Sequence, residues 1–236
     1  MRSKQSGFTL VEIAIVLVII GLLLGGVLKG QELINSAKVK NFATDFRNIP
    51  LFIYGYQDKY KALPGDHRTA ATLITGAVNA STPTSSGGVA CASSVCLGNG
   101  VIDGLWNSTT ETDEVVRFWQ HVRLAGLAAG PTTLAAGATA ATVTDFVPKN
   151  ADGGIIGIES GVANGTNYIT GLNPTYLVCS QGILGKFAKQ LDITMDDGNT
   201  ATGSVRVVAL THLRGGAATA TADADDSTSY IVCMGL

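Results

Sequence analysis

A single carboxylate, Glu12, stands inside a run of apolar residues that extends from Phe8 to Leu28. As a helix at about 1.5 Å per residue the run covers roughly 31 Å, the thickness of a bilayer's hydrocarbon core. An acid in such a span costs about 2.5–3.5 kcal/mol on insertion scales at mid-membrane, which marks it for a use. The cysteines are the next reactive set. Cys91, Cys96, Cys179 and Cys233 are even in number, and in an exported chain disulfides are the first expectation. Three connectivities are open. The favoured one joins Cys91 to Cys96 across a small loop and Cys179 to Cys233, tying one strand to the C-terminal strand. The second closure would contribute roughly 4 kcal/mol in the chain-entropy account. Zinc is the weaker alternative, because the Cys91–Cys96 spacing is wide for a knuckle and no matching Cys or His pair follows.

Other chemistry is sparse. There is no G-x-S-x-G, H-E-x-x-H or Walker loop, and Gly182-Ile183-Leu184-Gly185-Lys186 lacks the Walker spacing and its Ser/Thr. His67, His121 and His212 are scattered along the chain, and His121 reads as a surface residue on the polar side of a helix. The chain therefore reads as a non-enzyme. A net charge of −2, with charged residues at 14%, leaves no polybasic field for nucleic acid.

These residues need elements to position them. Ile34, Ala37, Phe42, Phe46, Ile49, Ile53, Tyr56 and Tyr60 recur mostly at steps of three or four, so one helix is expected from Phe8 to about Lys61, apolar all round at first and striped later. Pro50 should kink it. Leu63-Pro64-Gly65-Asp66 reads as a turn. Thr75–Gly100 reads as a surface excursion, Asp113–Ala128 as a second helix with a capping box at Thr110–Asp113 and a buried stripe of Val115, Trp119, Val122 and Gly126, and Ala128–Val143 as an exposed low-complexity stretch. Strands are expected at Gly154–Ile158, Thr175–Cys179, Gly203–Leu210 and Ser229–Met234. A short helix is expected at Gly182–Leu191, a hairpin turn at Asp196–Asn199, and a loop at Thr219–Ser227. The fold class is α+β: a long helix on an antiparallel sheet, with extra helices and long loops.

Lys4-Gln5-Ser6-Gly7-Phe8-Thr9-Leu10-Val11-Glu12 closely resembles the N-terminus of type IV pilins and type II secretion pseudopilins. The resemblance implies a leader of residues 1–7, cut between Gly7 and Phe8 by a prepilin peptidase that also N-methylates Phe8. It implies that Glu12 faces the amino terminus of a neighbouring subunit, a desolvated pair that is favourable only when both partners are present. The implied organisation is a filament-core or membrane half at 8–28, an amphipathic half at 29–62 and a globular α+β head at 63–236. Cys179–Cys233 resembles the C-terminal disulfide-bounded loop of pilins, although it is longer than in many. Lys29 stands where the family usually has a proline, so any melting of the helix would rely on Gly21, Gly25, Gly26 and Gly30.

The implied partners are the peptidase, the lipid bilayer before assembly, an inner-membrane assembly platform, and copies of the chain or related pilins in a helical filament. The implied location is a single-pass inner-membrane protein with a periplasmic head, later a surface pilus or periplasmic pseudopilus. A pilus subunit is favoured over a secretion pseudopilin because the head is large and its Ala/Thr/Gly loops are long. The alternative of another class is a membrane-anchored periplasmic binding module or enzyme. A secretory signal would have a shorter apolar core and a clearer small-x-small site than Gly25–Lys29 offers. No cofactor is expected. Some pseudopilins bind calcium in a loop near the sheet, and Asp192, Asp196, Asp197 and Asn199, or separately Asn99 with Asp103, are the candidates. Neither set fits the EF-hand pattern, and both read as solvated turn residues, as do Asp223, Asp225 and Asp226.

Overall fold

The computed structural model describes residues 9–81, 97–161 and 166–236. Its first element, α1 (Leu10–Tyr60), is a helix of 51 residues. Thr9 caps it: the hydroxyl accepts from the Glu12 N–H at 3.3 Å, and Glu12 Oε2 accepts from the Thr9 N–H at 2.8 Å. Such a box satisfies two of the backbone donors a helix start leaves open. The other end stops at Lys61 in the left-handed region, φ 53°, followed shortly by Pro64.

Burial divides α1. From Leu10 to Leu28 its side chains are exposed, and the buried face begins at Val39 and continues through Phe42, Ala43, Phe46, Ile49, Ile53 and Tyr56. The expected stripe started at Ile34 and Ala37, but both are exposed because the head reaches back only to Val39. The helix continues through Pro50 without a break. Ile49 and Ile53 are buried on either side of the proline, and each large apolar side chain buried contributes about 1.5–3 kcal/mol, enough to offset the lost backbone bond.

Beyond α1 come α2 (Ala70–Leu73), α3 (Glu114–Leu124), α4 (Ala140–Phe146), β1 (Ile156–Ser160), β2 (Tyr176–Leu184), α5 (Gly185–Met195), β3 (Val205–Ala209) and β4 (Ser229–Gly235). The four strands form one antiparallel sheet in the order β1-β2-β4-β3. The architecture is a pilin-like α+β fold, a long helix packed on an antiparallel sheet with short helices around it.

Alternation along the strands gives the sheet two buried faces. Val178, Ile183, Val205, Val207, Tyr230, Val232 and Met234 join α1, α3, α4 and α5 in the main core. Leu177, Cys179, Val208, Ile231 and Cys233 turn to the other face, where Trp106, Ile169 and Leu172 cover them. Trp106 comes so close that a Cβ added at Gly157 would lie 1.8 Å from its carbonyl oxygen, so β1 admits only glycine there. Cys179 and Cys233 are register partners on β2 and β4 and form the expected disulfide. Cys91 and Cys96 lie outside the described residues.

Several boundaries differ from the sequence reading, each for a packing reason. β2 does not stop at Cys179 but runs to Leu184 through a register shift between Gln181 and Ile183, and α5 starts at Gly185 instead of Gly182. β1 lies two residues later than expected and β3 is shorter at both ends. α3 ends at Leu124, and Gly126 lies beyond it, exposed; Asp113 caps it without a side-chain bond because its carboxylate accepts from the Ser108 hydroxyl. The stretch Ala128–Val143 is not simply exposed: α4 rises within it, burying Val143 and Phe146, and Leu134 is also buried. Asp196–Asn199 joins α5 to β3 and is not a hairpin turn.

The disulfide closes a separation of 54 residues between two central strands. Replacing both buried cysteines with alanine should lower the unfolding free energy by about 2–5 kcal/mol. Urea titration of the detergent-solubilised chain, followed by tryptophan fluorescence, measures the change.

Candidate functional site

The acid singled out in the sequence, Glu12, lies in the first turn of α1. Both the Thr9 N–H and the Thr9 hydroxyl donate to its Oε2 at 2.8 Å, so in the single chain its charge is held by its own helix start. The Thr9-x-x-Glu12 capping box was legible as a motif and was missed because the acid drew attention as a membrane charge. Gly7 and Phe8 lie outside the described residues. The following segment is exposed to an extent no water-soluble surface favours: Leu10 is 90% exposed and Leu28 67%. Its most apolar 18-residue window has a mean hydropathy of 2.8 and no buried residue, so α1 is long and apolar enough to cross a membrane. Burial of this surface in lipid or against copies of the same helix is the physical work the segment is fitted for.

Where α1 ends, the structure gathers polar groups that the sequence left apart. Tyr56, fully buried, bonds through its hydroxyl to His67 Nδ1 at 2.8 Å and stacks on His121, with ring centroids 5.9 Å apart. His121 is not a surface residue. Its Nδ1 accepts from the Gly65 N–H at 2.9 Å, which leaves Nε2 to donate to the Val78 carbonyl at 2.7 Å. Burial pushes its pKa down to about 4, so it stays a neutral pin between the end of α1, the turn at Gly65 and the segment at Val78. His67 and His121 are neighbours, 6.3 Å between centroids, and are not scattered as they are in sequence. His212 stands apart, bonded to the Tyr168 carbonyl.

Beside them lies a buried acidic cluster. Asp66 accepts from the Gly98 N–H and, at 2.7 Å, from the Gly100 N–H, while Glu114 Oε2 accepts from the Asp103 N–H at 2.9 Å. Asn99, a calcium candidate with Asp103, donates to the Asp103 carboxylate at 3.0 Å and accepts from the Val101 N–H, so both its polar ends serve the loop. Burial, followed by the charges of Asp66 and Asp103, pushes Glu114 up to about 9. Glu114 is therefore a neutral acid at pH 7.

The other acidic candidates separate into two groups. Asp223 lies in a surface turn, Asp225 caps the turn ahead of β4 through the Ser227 and Thr228 N–H groups, and Asp226 pairs with Lys189 at 2.9 Å. Asp192, Asp196 and Asp197 do converge, each placing one oxygen within 4.8 Å of the others, and could hold a metal ion. Asn199 does not join them, since its side-chain oxygen accepts from the Ala201 N–H at 3.2 Å.

Sequence reasoning also missed the buried pair of Glu159 with Arg214, 2.7 Å apart, in which Glu159 additionally accepts from the Trp106 N–H. Its residues are 55 apart in sequence, and no local pattern announces such a contact.

Glu114 also sets a pH dependence. The unfolded chain loses this proton near an ordinary carboxyl pKa, whereas the folded chain keeps it to about 9. Between those values the folded state binds more protons, so stability falls as pH rises. Glu114→Gln should flatten that decline and raise the melting temperature at pH 8 relative to pH 5. Thermal unfolding across that range checks it.

No curated protein and no solved structure matches the chain. Its head therefore stands on its own geometry, and only its N-terminal segment is matched to known proteins. The prokaryotic N-terminal methylation motif matches residues 2–28, the stretch that contains Glu12 and the exposed apolar turns of α1. That motif implies processing by a prepilin peptidase and filament assembly, and it marks the type IV pilin and pseudopilin family.

Proposed function

We propose that this chain is a structural subunit of a type IV pilus-like filament. The observation that carries the reading is the coincidence of the methylation motif at residues 2–28 with a helix whose apolar half the head leaves entirely uncovered. In this reading residues 1–7 are the leader, removed after Gly7, and Phe8 becomes the methylated terminus. Residues 8–28 hold the precursor in the inner membrane and then pack the filament core. Residues 29–62 carry the head, and residues 63–236 form it.

Glu12 is the docking group. Its carboxylate is held at the helix start by Thr9 in the single chain. Removal of the leader creates a new positive amino group one residue before Thr9, and the same group on an adjacent subunit is a cation of the kind a desolvated carboxylate needs. The partners on this reading are the prepilin peptidase, the bilayer, the assembly platform and further pilin subunits. The size of the head and its long Ala/Thr/Gly segments support a surface pilus over a periplasmic pseudopilus.

Mass spectrometry of sheared surface filaments and of the membrane fraction tests the reading. A chain beginning at N-methylated Phe8 and abundant in sheared material supports the pilus subunit. The same terminus confined to membranes supports a secretion pseudopilin. An intact Met1, in cells that contain the peptidase, supports an anchored module instead. Glu12→Ala should reduce filament yield by at least tenfold while the head keeps its disulfide and its melting temperature. Normal assembly of that variant would remove Glu12 from the docking role.

A further inference from the structure

Most charges of α1 are matched within the chain, and the exceptions form a pattern. Glu32 pairs with Lys29, Asp58 with Lys61, and Lys38 with Asp152 of the head. Among the described residues, Glu12 and Asp45 are the two acids of this helix outside any ion pair. Of its bases, Lys40 and Arg47 are exposed and have neither an ion pair nor a side-chain hydrogen bond there. Asp45 is different because it is half-buried. It lines a cavity of about 140 Å³ whose wall also holds Phe52, Trp119, Ala128 and Pro148. Its carboxyl group feels burial alone, and no donor reaches it.

A half-buried carboxylate without a donor is costly until a cation or a donor meets it. One ordered water takes about 10–15 Å³, so this cavity has room for a side chain. Its apolar wall suits methylene groups, its aromatic residues suit a cation, and the carboxylate suits an ammonium. Lysine combines the stem with the charge.

The filament reading says where that lysine comes from. In a helical assembly every atom of one copy is displaced from its equivalent in the next by the same distance along the axis. Glu12 level with the amino group of Phe8 on a neighbour sets that displacement at four residues, or about 6 Å along the helix. The same displacement brings Asp45 level with position 41 of the neighbour, and Lys40 is one residue away, about 1.5 Å. Because the displacement is common to all residues, it holds whether or not the glycine-rich turns stay helical. Arg47, the other unmatched base, stands six residues from that level, about 9 Å. Direction around the helix agrees. Groups that meet between parallel copies lie on opposite sides of the helix, and Asp45 and Lys40, five residues apart, are separated by about 140°.

We propose that in the filament Asp45 receives Lys40 of the neighbouring copy, in a second ion pair between subunits that shares its register with the Glu12 contact. The inference rests on the filament reading. The Asp45 cavity is the socket on one copy, and the exposed Lys40 is the plug on the next. In the single chain both groups are unmatched, so the pair forms only on assembly and favours the assembled state.

Carbodiimide treatment of sheared filaments, followed by a denaturing gel and peptide mass spectrometry, tests the pair. The reagent couples an amine to a carboxylate in direct contact. The expected product is a ladder of linked chains carrying a Lys40–Asp45 peptide. The two side chains point apart within one copy, so that link joins copies. Lys40→Arg should assemble as the parent does but give no such link, because a guanidinium does not couple. Asp45→Asn and Lys40→Ala should each lower filament yield at least about threefold. In detergent micelles Asp45→Asn should melt no lower than the parent, which separates an assembly defect from a folding one. Arg47→Ala should assemble as the parent does. Filaments that form without the Lys40–Asp45 link, that link Asp45 to another lysine, or that assemble fully in both Asp45→Asn and Lys40→Ala overturn the proposal and leave the filament reading standing. A processed parent chain that forms no filament removes both.

Discussion

The burial of one face of α1 is the contact on which the rest of the molecule depends. Phe42, Phe46, Ile49, Ile53 and Tyr56 are all but inaccessible; the main core is built around the first four from α3, α5 and the sheet, and Tyr56 is buried in a smaller cluster with Ala70, Ile74 and Ala77. At about 1.5–3 kcal/mol for each large side chain, this face is the main attachment of head to helix. Its extent also sets the division of labour along α1. Upstream of Lys38, which pairs with Asp152 of the head, the helix leaves the core, and nothing among the described residues covers its apolar side chains up to Leu28. A helix that is buried on one stripe and apolar all round further on is fitted to two environments, a protein core and a lipid or helix-packed one.

The polar interior follows from the same layout. Seating the end of α1 against α3 brings Tyr56, His67 and His121 together, and beside them Asp66 and Glu114. In water each of these groups would be solvated singly. Inside the head they share one low-dielectric region, so His121 is held neutral from above and Glu114 from below. Their hydrogen bonds to Gly65, Val78 and Asp103 make them fasteners between segments. The second face of the sheet is fastened differently, by the Cys179–Cys233 bond and by Arg214 reaching Glu159 beneath the Trp106 segment. Both faces of a thin sheet are thus closed, which a head of this size needs when one of its own helices is partly committed elsewhere.

Much of the architecture was legible before any coordinates. An apolar run continued by a 3.6-residue stripe and ended by a turn pattern announced α1 nearly to the residue, and β-branched runs bounded by Gly, Asn and Asp announced all four strands. The apolar run with its single acid pointed to membrane and assembly, and an even set of cysteines pointed to the bond between β2 and β4. These features were readable because each is local, or repeats at the period of one element. What stayed illegible depended on a neighbour far away in sequence. The Ala/Thr-rich stretch gave no sign of α4, since Val143 and Phe146 are buried only because Arg123 and the main core come to meet them.

The acids show the same limit. Asp192, Asp196 and Asp197 read as solvated turn residues because a sequence does not say that the last turn of a helix lies inside a core. The tertiary structure decided it: α5 packs against α1 and the sheet, Asp192 goes under, and the loop held by Thr202 and Val205 brings the other two carboxylates over it. The sequence by itself determined the N-terminal motif, the long helix and the antiparallel class, because periodicity and short motifs act within one segment of chain. Only the tertiary structure decided which charges lose their water, because desolvation is a property of what surrounds a group, and those surroundings come from segments that no sequence spacing relates.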